Sequence, residues 1–206
     1  MNKFKVFSVV FLLIFTAITC IKPLYPNEQF LQHFGTLFIV LVLVFDIRKN
    51  IFSNAGFLGI VLFGVIHIIG ARYIYSYVPY NDFSKNIFSF DIDTYYHFKR
   101  NHFDRVVHFS FGLLILPSVY QYISKKYTNN LLFALLVSWL LIQTFSMIYE
   151  LFEWSLSIIM SETDAENYNG QQGDVWDAQK DMALALLGSS NTYAIYFLKY
   201  KFVKNR

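Results

Sequence analysis

Six long apolar runs, separated by short polar segments, organise this chain: residues 4–21, 30–47, 55–75, 104–123, 131–160 and 174–198. A helix needs about 20 mostly apolar residues to cross a bilayer. The pattern therefore predicts an all-α, polytopic integral membrane protein forming a single transmembrane helical domain. Pro23 and Pro26 separate the first run from the second, where they are expected to stop a helix. Asp46, Arg48 and Lys49 close the second run, and Lys125 and Lys126 the fourth. Residues 1–18 have the basic and apolar regions of a signal peptide, but no small-x-small cleavage site follows, so an uncleaved first helix is expected. The connection 76–101 is rich in tyrosine and phenylalanine, suited to the headgroup level as an interfacial belt or a lid over the outer end. The segment 161–173 is polar and expected to be solvated, with Gly170 and Gly173 allowing a tight re-entry.

Composition agrees. Of 206 residues, 55% are hydrophobic and only 15% charged, against roughly 25% charged in soluble domains. The net charge of +3 comes from scattered lysines and arginines, which argues against nucleic acid as a partner. One cysteine, Cys20, makes neither an intrachain disulfide nor a multi-thiolate site. Basic residues set the orientation. With the N-terminus inside, Lys3, Lys5, Arg48, Lys49, Lys125, Lys126, Lys199, Lys201, Lys204 and Arg206 lie inward. Lys22, Arg72, Lys85, Lys99, Arg100, Arg105 and Lys180 lie outward, most of them around one long connection. Both termini are thus expected in the cytoplasm.

Under that topology, four helices deliver their ionisable residues to the outer face. His67 and Arg72 end the third helix, and Asp104 and His108 open the fourth. Glu150 and Glu153 end the fifth, while Asp174, Asp177 and Asp181 open the sixth. Spacings of three and four place each set on one helical face. Charges at membrane depth are costly and normally face the bundle interior. Carboxylates outnumber their candidate cationic partners, so either some are protonated or a cation sits among them. Asp104, His108, Asp177, Asp181 and His67 are candidate ligands for Zn²⁺, Mn²⁺, Fe²⁺ or Mg²⁺. Glu150, Glu153 and Asp174 are candidate acid–base groups, and Arg72 and Arg100 candidate anchors for a phosphate headgroup. A lipid or a lipid-linked envelope precursor would be the natural substrate. Two alternatives stand beside this one: a purely structural polar network, and proton or ion transport. Transport needs a polar path inward, for which the inner halves offer only Gln143 and residues 189–192. Di-iron E-x-x-H, H-E-x-x-H, G-x-S-x-G and P-loop signatures are absent from the sequence.

The runs R-N-H-F-D-R-V-V-H-F at 100–109, Y-E-L-F-E-W at 149–154 and G-Q-Q-G-D-V-W-D-A-Q-K-D-M at 170–182, with H-I-I-G-A-R-Y-I-Y-S at 67–76, resemble the YjdF family. These are bacterial inner-membrane proteins of uncharacterised function, so the resemblance implies the inner membrane and no reaction. A fainter likeness to VanZ-like membrane proteins rests on Asp104, Arg105, His108 and Phe109, on Glu150 or Glu153, and on Asp181 followed by Gly188. It implies a role at the cell envelope. The spacing of its last part departs from that family's pattern.

Overall fold

A computed structural model describes residues 2–204, and every regular element among them is helical. Arg206, counted above among the inner basic residues, lies outside the described residues. The order is α1 (Lys3–Thr19), α2 (Pro26–Lys49), α3 (Asn54–Arg72), α4 (Tyr80–Phe88), α5 (Ile92–Tyr96), α6 (Phe103–Lys126), α7 (Leu131–Ile159), α8 (Glu162–Asn169) and α9 (Asp177–Lys204). Four of these, α2, α3, α6 and α7, are long and apolar enough to cross a membrane. α1 has only 17 residues, and α9 is less apolar on average than the other long helices.

Several expected boundaries shift for identifiable reasons. Pro26 opens α2 instead of blocking it, because a proline in the first turn removes an N–H that has no partner there anyway. α3 ends at Arg72, short of residue 75, because Ile74 and Tyr75 both adopt left-handed φ angles of 43° and 57°. The segment expected to be solvated contains α8, whose Ala165 and Tyr168 are buried. Ser161 caps that helix and Gly170, at φ 67°, ends it.

Two groups of helices meet at α6. On one side α1, α2 and α3 share a core that includes Leu12, Leu43, Phe57 and Ile68. On the other, Leu116 of α6 packs with Leu135 and Ile142 of α7, with Tyr193 and Tyr196 of α9 against them. In lipid, apolar packing gains little from the hydrophobic effect, so close backbone approach and interhelical hydrogen bonds carry more of the association. Glycines permit that approach. A Cβ on Gly112 would overlap the Ala185 carbonyl oxygen of α9, and one on Gly188 would overlap the Phe109 carbonyl oxygen of α6. Ser118 donates to the Gly56 carbonyl at 2.8 Å, joining α6 to α3.

Pro117 sits inside α6 and cannot donate to the carbonyl of Leu113. That oxygen instead accepts a 2.9 Å hydrogen bond from the Thr192 hydroxyl of α9. The opposite end of the bundle holds a buried ion pair that the sequence pattern does not mark. Lys5 Nζ, fully buried, lies 2.6 Å from Asp46 Oδ2 and also donates to Asn50 Oδ1 and the Phe52 carbonyl. The other Asp46 oxygen accepts from the Ile51 and Phe52 backbone N–H groups at 2.8 Å each. The ammonium and carboxylate are therefore both satisfied, and the pair ties α1 to the α2–α3 turn.

Two outcomes follow for detergent-purified protein. Lys5→Met leaves Asp46 buried and uncompensated, a loss on the order of 3–5 kcal/mol, and Lys5→Met with Asp46→Leu should recover most of the lost melting temperature. Gly188→Leu should lower thermal stability by at least the roughly 1–3 kcal/mol typical of overpacking, whereas Gly173→Ala, in open space, should cost only its left-handed strain.

A carboxylate–histidine cluster beneath an arginine clamp

The cluster is built from the first two turns of α6 and α9 and the C-terminal half of α7. The chain enters α6 through Asn101, whose side-chain oxygen accepts from the Phe103 N–H at 3.0 Å. Asn101 also exchanges hydrogen bonds with Gln172: its N–H donates to Gln172 Oε1 at 2.8 Å, and its carbonyl accepts from Gln172 Nε2 at 3.1 Å. Gln172 reaches that position with φ 51°, between Gly170 and Gly173 at 67° and 76°. The turn preceding α9 is thereby fastened to the turn preceding α6.

Arg100 and Arg105 complete this clamp. Arg100 Nη1 lies 2.6 Å from Asp177 Oδ1 and 2.8 Å from the Gln171 carbonyl, while Nη2 reaches the Gly170 carbonyl at 3.1 Å. Arg105 Nη2 lies 2.5 Å from Asp174 Oδ2. Lys180 folds back onto both Asp174 oxygens at 2.8 and 2.6 Å. The Lys180 hydrogen bond, with the Trp176 N–H and Arg105 adding to it, holds the Asp174 carboxyl down at about 2. Asp174 and Asp177 are thus matched by cations of the chain itself, and Arg100 is engaged on all sides.

Deeper in the bundle the balance differs. Asp104, His108, Glu150 and Asp181 are all buried, at 2–8% exposure. His108 Nε2 stands 3.6 Å from Asp104 Oδ1 and 3.6 Å from Glu150 Oε1. Both separations are too long for hydrogen bonds. One donor atom each from Asp104, His108 and Asp181 lie within 4.8 Å of one another. Glu150 Oε1, Asp181 Oδ1 and Ser146 Oγ are buried without a hydrogen-bond partner among the described residues. Buried acceptors left this way are costly and rare. Ligands held about 2.0–2.2 Å from one divalent ion lie roughly 3–4 Å apart, so donor atoms spread over up to 4.8 Å would have to draw together to share one.

The remaining sequence candidates are placed elsewhere or differently. His67 is outside the cluster: Nε2 donates to the Gln32 carbonyl at 3.1 Å, which makes Nδ1 the acceptor of the Tyr75 hydroxyl at 2.5 Å. Both ring nitrogens are occupied. Gly70 leaves room for the Tyr75 ring, which a Cβ would strike. Arg72 donates to the Thr19 carbonyl at 2.8 Å, tying α3 to the end of α1. Glu153 lies one turn beyond Glu150 on α7 and is half-buried. Tyr149, Phe152 and Tyr168 form an aromatic series beside the cluster, with centroids 6.4 and 6.2 Å apart, and Tyr149 also meets the His108 ring at 6.0 Å. Helical spacing directs Lys180 off the aspartate face and out of the site, yet its side chain folds back onto Asp174; Tyr168 was not foreseen. Nothing in the spacing of the polar loop marked a tyrosine that would fold back against α7.

A family model described as "Predicted membrane protein (DUF2238)" matches residues 4–201. The chain belongs to that family. It is also similar to "Inner membrane protein YjdF" of Escherichia coli (strain K12), 30% identical over 134 residues, which cover 65% of this chain and 60% of the relative. No solved structure matches the chain significantly. Family membership establishes a membrane protein and agrees with the resemblance read from the motifs at 67–76, 100–109, 149–154 and 170–182.

The clamp has a testable pH dependence. Asp174 is depressed in the folded protein, so its contribution is complete above the ordinary carboxyl range near 3.8 and is lost as pH falls through about 2. Hydrogen exchange of residues 170–176 should therefore stay protected down to about pH 4 and open below it. In Asp174→Asn the same segment should already be less protected at pH 7.

Proposed function

We propose that this chain is a bacterial inner-membrane protein with six spans and both termini in the cytoplasm. In this reading, Asp104, His108, Glu150 and Asp181 hold a divalent cation near the outer face, for a reaction on a lipid or lipid-linked envelope precursor. The carrying observation is the set of buried, unpartnered oxygens, Glu150 Oε1 and Asp181 Oδ1, around a histidine nitrogen 3.6 Å from two carboxylates. The six-span arrangement is supported by α1 and α9, which pack along α3 and α6 as neighbours of the four candidate spans. The inner-membrane placement draws on the relative's name and the orientation on the basic residues.

A mixed imidazole–carboxylate donor set suits Zn²⁺, Mn²⁺ or Fe²⁺, with Mg²⁺ less favoured by the histidine. Once bound, such an ion supplies Lewis acidity and an ionisable water. The protein's own part is positional. Arg100 and Arg105 neutralise Asp174 and Asp177 and keep α9 in register with α6. In this reading Glu153, one turn along α7 from Glu150, takes or returns a proton beside the cluster. His67 and Arg72 serve as helix ties, which removes them from the ligand and headgroup roles. A conduction role has less support, because the inner polar groups are engaged in bonds between helices. Gln143 Nε2 donates to Ser189 Oγ at 2.8 Å, and Thr192 to the Leu113 carbonyl.

Elemental analysis of detergent-purified protein tests the reading. Near-stoichiometric metal is expected in the wild type and in His67→Gln, and less than a tenth of that in His108→Ala and Asp181→Asn. Saturating metal at about 100-fold over Kd should add roughly 2.7 kcal/mol of stability. A metal-free preparation whose melting does not respond to Zn²⁺, Mn²⁺, Fe²⁺ or Mg²⁺ would refute the site.

A further inference from the structure

Above their bonded inner halves, α7 and α9 part. Trp139 Nε1 to Ser190 Oγ at 3.1 Å and Gln143 Nε2 to Ser189 Oγ at 2.8 Å join them. A turn further out, a cleft of about 330 Å³ opens between them. Its inner wall carries Glu150, Glu153 and Asp177. Its mouth carries Leu151, Trp154 and Val175, which are 52%, 63% and 85% exposed on the flank of the bundle. The cleft therefore joins the lipid-facing side of α7 directly to the carboxylate cluster. Its lining contains carboxylates but no lysine or arginine. Glu150, only 6% exposed, lines it, while its unpartnered Oε1 is buried behind that surface, 3.6 Å from His108 Nε2.

We infer that this cleft admits an amphiphile sideways from the outer leaflet, with its apolar tail between α7 and the 175–176 turn and an ammonium headgroup directed at Glu150 and Glu153. A cationic head matches a wall of carboxylates, and an indole at the rim adds a face suited to an ammonium group. An anionic head without a counter-ion would meet Glu150 and Glu153, whereas Asp177 is already paired with Arg100. This inference rests on the lipid-acting reading above only in the choice of substrate. The recognition itself needs no metal.

Three photo-crosslinkable probes with the same dodecyl-diazirine tail and different heads, primary ammonium, hydroxyl and phosphate, test it on the full chain in nanodiscs. The ammonium probe should label peptides 147–154 and 174–182 at least fivefold more than the hydroxyl probe. That preference should vanish in Glu153→Gln, with Leu151→Trp, which fills the mouth, lowering labelling by all heads. Melting curves identify any variant that has not folded; if Glu153→Gln is such a variant, Leu151→Trp decides the location. Equal labelling by ammonium and phosphate heads, or labelling mapped away from the cleft, would overturn the inference. Repeating the series with a chelator separates the two proposals: a preference that survives it stands even where elemental analysis finds no metal. One that appears only with metal bound overturns the ammonium assignment and leaves the metal site intact.

Discussion

The contact between α6 and α9 through Gly112 and Gly188 governs the rest of the structure. Neither helix tolerates a Cβ at the crossing, because each glycine faces a carbonyl oxygen of the other. Backbones this close fix both the distance and the register of the two helices. Counting outward from the crossing, His108 lies one turn up α6 and Asp181 two turns up α9, with Asp104 and Asp177 each about one turn further. The carboxylate–histidine cluster is thus a consequence of where two glycines stand. Glycine in a helix costs propensity in water, and here close packing of polar backbone offsets it.

Above that crossing, charge is distributed in two layers. The outer layer is matched: Asp174 with Arg105 and Lys180, Asp177 with Arg100. The inner layer, Asp104, Glu150 and Asp181, has only His108. The opposite end of the bundle shows what full compensation looks like, since both oxygens of Asp46 and the ammonium of Lys5 are satisfied. The contrast within one molecule makes the unpartnered oxygens of Glu150 and Asp181 informative. A chain able to bury an ion pair completely at one face leaves acceptors open at the other.

Much of this was legible beforehand, because lipid imposes simple rules. Long apolar runs report helices, and ionisable residues within them report where the bundle is polar, so Asp104, His108, Glu150 and Asp181 could be assigned to one site. Distances could not be read in the same way. His67 shares the apolar context of His108, yet Gly35 and Gly70 create a pocket in which its ring meets the Gln32 carbonyl and Tyr75. That depends on left-handed backbone at Ile74 and Tyr75, which a β-branched residue and a tyrosine do not advertise. Arg100 looked free to bind a headgroup because its partners, the carbonyls of Gly170 and Gln171, belong to backbone that carries no side-chain signature. The buried Lys5–Asp46 pair was likewise hidden, since a lysine near a helix start reads as a surface charge.

Pro117 has a mechanical consequence. By withholding its own N–H it frees the Leu113 carbonyl, which Thr192 takes up from the neighbouring helix. A bond that would have been internal to α6 has become a rivet between α6 and α9, just below the glycine crossing. These two helices are fastened by the rivet, the crossing and the arginine clamp at three heights, and therefore behave as one body. α7 is hydrogen-bonded to that body at Gln143 and Trp139, and its C-terminal half is tied to α8 by Asn169, whose side chain reaches the Glu153 carbonyl at 3.1 Å and Ser157 Oγ at 2.8 Å. The wall of the cluster carrying Glu150 and Glu153 is therefore held through α8 and the Gly170 turn as well as through the core of the bundle.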